Sequence, residues 1–533
     1  MQARLVPAGD AVVAGLIDVA ADGPATSVRL EQVSTVLLGG IDLPGVPTAD
    51  VDQVDPRGFD AADAADLDRF VTEALRRTGV PGAAVAVVQG DEVVHLGGYG
   101  VASLETGEGV DPETPFRIGS VGKSMTTATL AVEVDRGVLA WDQPVTDVLP
   151  GFALADPADT ACFTVETLVC NCSGIQRADD ALPFTGGTRS PEQVIEELSG
   201  FAPITSFGEV FGYNNQVVST GGWAAAAAAG ADPERLDRGY ARELSRRLLR
   251  PAGMTDTTLS RTRAERRDAA SPHGVALDSG AFEALPGEVE DALGSIAPAG
   301  GAHWSTAEDM ARYLQLQLGD GMSADGRRVV SQDTLHRTWT PRTPTTISAY
   351  PGAFYGLGWF VEDYYGTPLV SHGGNTLGFT SEAAFLPEQD LGVVVLANAA
   401  GANALTRGVR DHVVESLFDL PAYGERQVAG FAEDLSEPPP TFEPAVDAAV
   451  VEPFLETVFA SEGFGTVTLS TDAEGRVRLT TEAVTVELRR PTGADANALV
   501  SVDVPLAGTP VTLVTDEAGR PAVDVGGLVF QPE

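Results

Sequence analysis

Between Glu433 and Pro444 the chain reads EDLSEPPPTFEP. A proline run has no amide donors and favours extended polyproline conformation, so neither a helix nor a sheet interior can run through it. It separates two sequence patterns. After it, residues 446–533 are almost all short alternating runs, GTVTLST, RVRLTT, VTVELRR, ALVSVDV and TPVTLVT, with two similar turns, DAEGR (472–476) and DEAGR (516–520). Period-two strands joined by tight turns predict a small antiparallel barrel or sandwich, a lipocalin-like barrel being one form of it. No reactive constellation is visible there.

Before the prolines the pattern is mixed. DAADLDRFVTEALRRTG (63–79) has helical spacing and a glycine stop. GAAVAVVQGDEVVHLGGYG (82–100) reads as a hairpin about a Gly-Asp turn. Mixed helices follow to about residue 340, then two apolar runs, SEAAFLP (381–387) and LGVVVLAN (391–398), and a helix over 404–418. Strands at both ends with helices between predict one sheet assembled from distant parts of the chain. The small-residue run WAAAAAAG (223–230) is too short for a membrane span and reads as a closely packed helix. Four regions result: an N-terminal extension (1–60, with a candidate strand at 27–38), a main domain (61–425), a proline-rich linker (426–445) and the β domain (446–533).

Charge narrows the partners. The 533 residues carry 76 acidic and 34 basic side chains, a net charge of −42. Phosphate-rich partners would be repelled, so nucleic acid and anionic membrane are not expected. An acidic, lysine-poor balance resembles that of proteins kept soluble in concentrated salt. The first residues show no secretory signal, which predicts a cytoplasmic protein if the N-terminus is native and an exported one if a signal has been removed. Cys162, Cys170 and Cys172 read as small apolar core residues, although two of them could bridge and leave the third free. No metal-ligand spacing occurs, so neither a metal nor a cofactor is expected.

One lysine, Lys123, stands among 33 arginines, within FRIGSVGKSMTT (116–127). GSVGKS suggests the end of a phosphate-binding loop, but the glycine required five residues earlier is Arg117, and no following strand ends in aspartate. The alternative is Ser120-x-x-Lys123, with both side chains on one helical face, a turn apart. A serine at a helix start can offer its backbone N–H to a developing oxyanion. A lysine in a low-dielectric cleft loses its proton more readily than a surface lysine and can take the serine proton; arginine cannot. Ser-x-x-Lys alone is ordinarily a solvated helix pair. Its retention where every other basic side chain is arginine or histidine points to a need for a titratable amine.

Further segments strengthen this reading. TPFRIGSVGKSMTTATLAVEVDRGVLAWDQPVTDVLPGF (114–152), FTVETLVCNCSGI (163–175), FGYNNQ (211–216) and SHGGNTLGFTSEAAFLPEQDLGVVVLANA (371–399) occur in an order that resembles the serine β-lactamase and penicillin-binding-protein superfamily. The resemblance is to its class C-like branch of esterases, D-aminopeptidases and DD-peptidases, and it covers about residues 64–420. It implies an α+β fold, an antiparallel sheet flanked by helices, ahead of the C-terminal all-β domain. It implies Ser120 as nucleophile, Lys123 as its base, and Tyr213 exchanging protons with leaving group and water. Asn215 would orient Lys123 and meet the acyl side. His372 would stand where many relatives have lysine, near the substrate's polar end. Gly374 and Asn375 would form the docking edge, with Asn375 N–H as second oxyanion donor.

Two departures matter. Asn171 occupies a position where the family usually has histidine, and His372 replaces lysine. A mostly neutral imidazole argues against strong binding of a β-lactam carboxylate. The expected function is therefore a serine hydrolase acting on an ester or amide of a small molecule or peptide, through an acyl-enzyme. The competing reading is an inactive hydrolase-like module that senses acylated ligands. The substrate's acyl group and the oligomeric state stay open.

Overall fold

The computed structural model describes residues 50–177, 189–347, 352–461, 464–515 and 519–533, together with the backbone of 2–8 and 11–17, which pair as a hairpin. The candidate strand at 27–38 lies outside the described residues, as do residues 516–518 of the DEAGR turn.

Helix α1 (Ala61–Thr78) starts on a capping box in which Asp60 and Asp63 satisfy each other's amides, and it stops at Gly79 with φ of 72°. Its buried stripe, Leu67, Val71, Ala74 and Leu75, follows helical spacing and packs on the sheet. Next come β1 (Gly82–Gln89) and β2 (Glu92–Gly100), the expected hairpin. The later strands are β3 (Thr343–Pro344), β4 (Phe354–Tyr355), β5 (Phe360–Tyr364), β6 (Thr367–Asn375), β7 (Thr380–Leu386) and β8 (Leu391–Ala397). They form one antiparallel sheet in the order β2-β1-β8-β7-β6-β5-β4-β3. The β1–β8 pairing joins distant parts of the chain, with Ala84 opposite Leu396.

Both faces of that sheet are covered, which is why β1, β7 and β8 read as continuous apolar runs. Ala84, Ala86, Val88, Val394 and Leu396 face the large helical half. Ala83, Val85, Val87, Val393 and Val395 face α1 and the C-terminal helices. In the helical half, α2 (Gly122–Asp135) is buried on every side from Gly122 to Glu133, so it shows no amphipathic stripe. Three of its hydroxyls bond to carbonyls: Ser124 donates to Val121, Thr126 to Pro298 and Thr129 to Met125. The helix containing the alanine run, α3 (Asn215–Ala228), packs against α2. On the other face, α4 (Asn403–Leu417) pairs with α5 (Tyr423–Leu435). Helix α5 occupies the first half of the span expected as linker, and the Pro438–Pro440 run follows it.

The C-terminal strands, from Val458–Ser461 to Leu528–Pro532, close an eight-stranded antiparallel barrel. Alternate residues, such as Val467 and Leu469, Val477 and Leu479, Val523 and Val525, fill its interior as one packed cluster. The barrel meets the main domain at the short hairpin His273–Val275/Phe282–Ala284. There Leu277 N–H donates to Val502 O at 3.0 Å, Arg489 pairs with Asp278 at 3.1 Å, and Gly274 lies against Val504.

Candidate active site

Ser120 sits in a single 3-10 turn, Gly119–Val121, that leads directly into α2. Gly119 has φ of 48°, and a Cβ there would lie 2.7 Å from Asn375 N. A Cβ on Gly374 would lie 2.0 Å from Ile118 O. Glycine at both positions therefore lets the end of β6 press backbone to backbone against the turn carrying Ser120. Ser381 Oγ donates to Ile118 O at 2.7 Å and fixes the same junction.

Lys123, in the first turn of α2, has no solvent exposure. Its Nζ lies 3.0 Å from Ser120 Oγ, 2.5 Å from Asn215 Oδ1 and 2.8 Å from Ala299 O. Two of these partners are pure acceptors. A neutral amine donating its two hydrogens to Asn215 and Ala299 directs its lone pair at the serine hydroxyl. The face of the Tyr213 ring covers the amine at 4.5 Å from its centroid, and Arg177 approaches the same ring at 6.0 Å.

Tyr213 is held through its neighbours. Gly212 N–H donates to Asn171 O at 2.7 Å, and Asn214 N–H donates to Asn171 Oδ1 at 3.1 Å. Asn214 also caps α3 by accepting from Val217 N–H, which places Asn215 in that helix's first turn. Asn171 adopts φ of 47° between Cys170 and Cys172, and these two cysteines form a disulfide. This is the bridged alternative, not the plain core packing expected, and Cys162 is free and exposed. An asparagine in the left-handed region supplies both acceptors.

His372 lies on β6 and is 1% exposed. Its Nδ1–H donates to Gly373 O at 2.7 Å, so Nε2 accepts from the Tyr355 hydroxyl at 3.1 Å. Burial, with Lys123 nearby, holds the imidazole down to about 3, which keeps it neutral across the physiological range. Its N–H is directed into the strand's own backbone. Asn375 exchanges side-chain hydrogen bonds with Asn403 at the start of α4.

These residues surround a single cleft of about 670 Å³. Ser120, Tyr213, Asn215, His372 and Asn375 line it, Lys123 lies beneath Tyr213, and Gly374 is buried against Ile118. The cleft adds groups that no sequence motif marked. Leu293, Ile296, Phe360 and Leu377 give it an apolar wall, and Arg177, Asn403 and Arg407 supply polar groups. The Ala299 carbonyl was invisible as a partner because a backbone acceptor has no residue signature. Among the described residues, no group of histidine, cysteine or carboxylate side chains could hold a metal ion. No helix among them is long and apolar enough to cross a membrane.

The family model described as Beta-lactamase matches residues 67–417. Penicillin-binding protein 4 of Amycolatopsis lactamdurans is 31% identical over 345 residues, 61% of this chain and 82% of that protein. An unguisins hydrolase of Aspergillus violaceofuscus is 24% identical across 86% of this chain and 87% of its own length. Among solved structures, the octameric penicillin-binding protein homologue from Pyrococcus abyssi superposes with a TM-score of 0.57 at 20% identity, covering 88% of this chain and 99% of that one. A class C beta lactamase from Rhodobacter sphaeroides gives 0.52 at 22% identity, covering 66% and 99%. These two share the fold.

Proposed function

This chain belongs to the beta-lactamase family, and from that premise we propose that it is a serine hydrolase that cleaves an ester or amide through an acyl-enzyme on Ser120. The observation that carries the proposal is the placement of Lys123: Nζ is held by the carbonyl oxygens of Asn215 and Ala299 and lies 3.0 Å from Ser120 Oγ, within reach of its proton. In acylation, Ser120 Oγ bonds to the substrate carbonyl carbon while its proton passes to Lys123 Nζ. The oxyanion forms against the backbone N–H groups of Ser120 and Asn375, a reading supported by the close approach of Gly119 to Asn375. Tyr213 relays a proton to the leaving group as the scissile bond breaks. Water then attacks the acyl-enzyme and gives up a proton along the same route, restoring Ser120.

Asn215 holds Lys123 and borders the acyl side, and Gly374 with Asn375 forms the edge on which substrate lies. His372 borders the polar end as a neutral ring. A neutral His372 offers a β-lactam carboxylate no charge at that position, which favours esters and amides; the cations of the cleft are Arg177 and Arg407. The apolar wall suits a substrate with hydrocarbon bulk beside the reacting carbonyl. The combination of serine, buried amine and tyrosine around one cleft favours hydrolysis over an inactive sensor.

The test is covalent labelling. A fluorophosphonate should add once, and peptide mapping should place the adduct on Ser120. p-Nitrophenyl acetate should give a burst that Ser120→Ala abolishes without unfolding the protein. An adduct on Ser173 or Ser219, or full turnover by Ser120→Ala, would refute the proposal.

A further inference from the structure

The apolar wall of the cleft is built from two segments distant in sequence. Leu293 and Ile296 come from the 3-10 helical segment Gly287–Ala299, whereas Thr376 and Leu377 come from the turn after β6. Between them, one turn before Leu293, lies Glu290, which is 1% exposed. Its Oε1 accepts from Thr376 Oγ1 at 2.9 Å and from Gly378 N–H at 2.6 Å, the two residues flanking Leu377. Its Oε2 faces Arg117 Nε at 3.7 Å. Arg117, itself 3% exposed, donates to Gly301 O at 2.5 Å, lies over the Trp304 ring and precedes Ser120 by three residues.

A buried carboxylate–guanidinium pair adds little stability compared with apolar residues of equal volume, because both charges lose their hydration. Its advantage is directional: a carboxylate can accept two bonds at set angles and hold a turn that has few contacts of its own. The turn is otherwise tied by Thr376 N–H to Phe379 O, by Phe379 N–H to Thr376 Oγ1 at 3.2 Å and by Gly378 O accepting from His273 N–H. Without Glu290, Leu377 would no longer have a fixed distance from Leu293 and Ile296.

We propose that Glu290 is a positioning residue for substrate recognition: with Arg117 behind it, its carboxylate joins the Thr376–Phe379 turn to the Gly287–Ala299 segment, and this sets how long an apolar group the cleft accepts. The proposal rests on the hydrolase reading for its kinetic consequence, but the turn's anchoring can be measured without turnover.

The experiment compares Glu290→Ala and Glu290→Gln by hydrogen exchange and by hydrolysis of p-nitrophenyl acetate, butyrate and octanoate. Exchange at the amides of residues 376–379 should accelerate in Glu290→Ala. It should stay near wild type in Glu290→Gln, whose amide oxygen still accepts from Thr376 and Gly378. The ratio of KM for octanoate to KM for acetate should rise about tenfold in Glu290→Ala, the loss expected for orphaning a buried donor at the wall, and the glutamine should restore most of it. Should Glu290→Ala fail to fold, Thr376→Val removes the bond to Glu290 together with the one from Phe379 N–H to Thr376 Oγ1, so exchange is read at residues 376–378 alone, where it and the KM ratio should move in the same direction, by about threefold. A KM ratio unchanged in a variant whose turn exchanges faster would overturn the role in recognition. Unchanged exchange would overturn the anchoring itself. If wild-type protein neither labels on Ser120 nor hydrolyses any ester, the hydrolase reading fails separately and the exchange result still decides the anchoring.

Discussion

Lys123 Nζ lies among Ser120 Oγ, two carbonyl oxygens and an aromatic face. The sequence pointed to this residue because it alone escaped replacement by arginine; the two carbonyls that aim it could not be read there. Lys123→Met, of similar length, should fold and lose about 10²–10⁴-fold in turnover, the range for removing a positioned base. It removes the donor to Ala299 O, so denaturant melts should show a loss of about 1–3 kcal/mol. Folded protein with near-normal turnover would mean that Tyr213 alone is the base. His303 is a second buried imidazole. It is fully buried, meets the Tyr240 hydroxyl at 3.1 Å, and burial holds its imidazole down to about 3. Because the folded value lies below the usual 6.5, the unfolded chain takes up a proton between pH 6.5 and 3 that the folded protein refuses. Stability from the neutral ring is therefore full above pH 6.5 and falls by roughly 1.4 kcal/mol per pH unit below it. His303→Gln lacks that penalty, so its stability deficit should be largest near pH 8 and shrink steadily towards pH 5. A deficit that is constant with pH would show that the ring titrates normally in the folded state.

At the scale of elements, hydrophobic period was the informative signal, and it served best where packing follows period. The 82–100 hairpin, the paired strands at 381–398 and the helix at 404–418 all form as expected, because each buries a regular apolar face or is covered on both. The α5 helix was obscured because its residues run straight into the proline-rich segment. The loop around Cys170 was also hidden, since two cysteines with one residue between them satisfy no common framework spacing. Its bridge closes only three residues and constrains the unfolded chain weakly, worth about 1.5 kcal/mol in the chain-entropy account. Its larger consequence is local. The bridge flanks Asn171, whose carbonyl and side chain hold Gly212 and Asn214 on either side of Tyr213, and Cys172 O accepts from Gly208 N–H. Replacing both cysteines by serine should therefore lower kcat by about tenfold or more, as expected when a reacting group loses its alignment, while the melting temperature falls only a few degrees. Equal kcat in the variant would show that Asn171 keeps its geometry without the bridge.

For the molecule as a whole, the two sequence patterns on either side of the prolines became a layered α+β body and a closed barrel, but their contact was not legible. Among the described residues it includes the Leu277–Val502 main-chain hydrogen bond, the Arg489–Asp278 ion pair and the close approach at Gly274, none of which leaves a periodic trace. The net charge of −42 was legible, and it bears on both parts at once. Arginines are largely committed to local pairs, such as Arg247 with Glu133 and Glu243, or Arg478 with Asp472 and Asp503, so the surplus carboxylates face one another across solvent. Folding concentrates those like charges, and unfolding separates them. At low ionic strength that repulsion reaches about 30 Å in 0.01 M salt, but only about 10 Å in 0.1 M and 3 Å in 1 M. Adding sodium chloride should therefore raise the melting temperature, with most of the rise complete by roughly 0.5 M, where charges more than a few ångströms apart no longer sense one another. Sodium sulfate would continue the rise at higher concentration through exclusion from the protein surface, so the chloride series isolates screening. A melting temperature flat in chloride from dilute buffer upward would mean that the surplus carboxylates are too dispersed to repel, and that the acidic composition does not reflect adaptation of the folded state to salt.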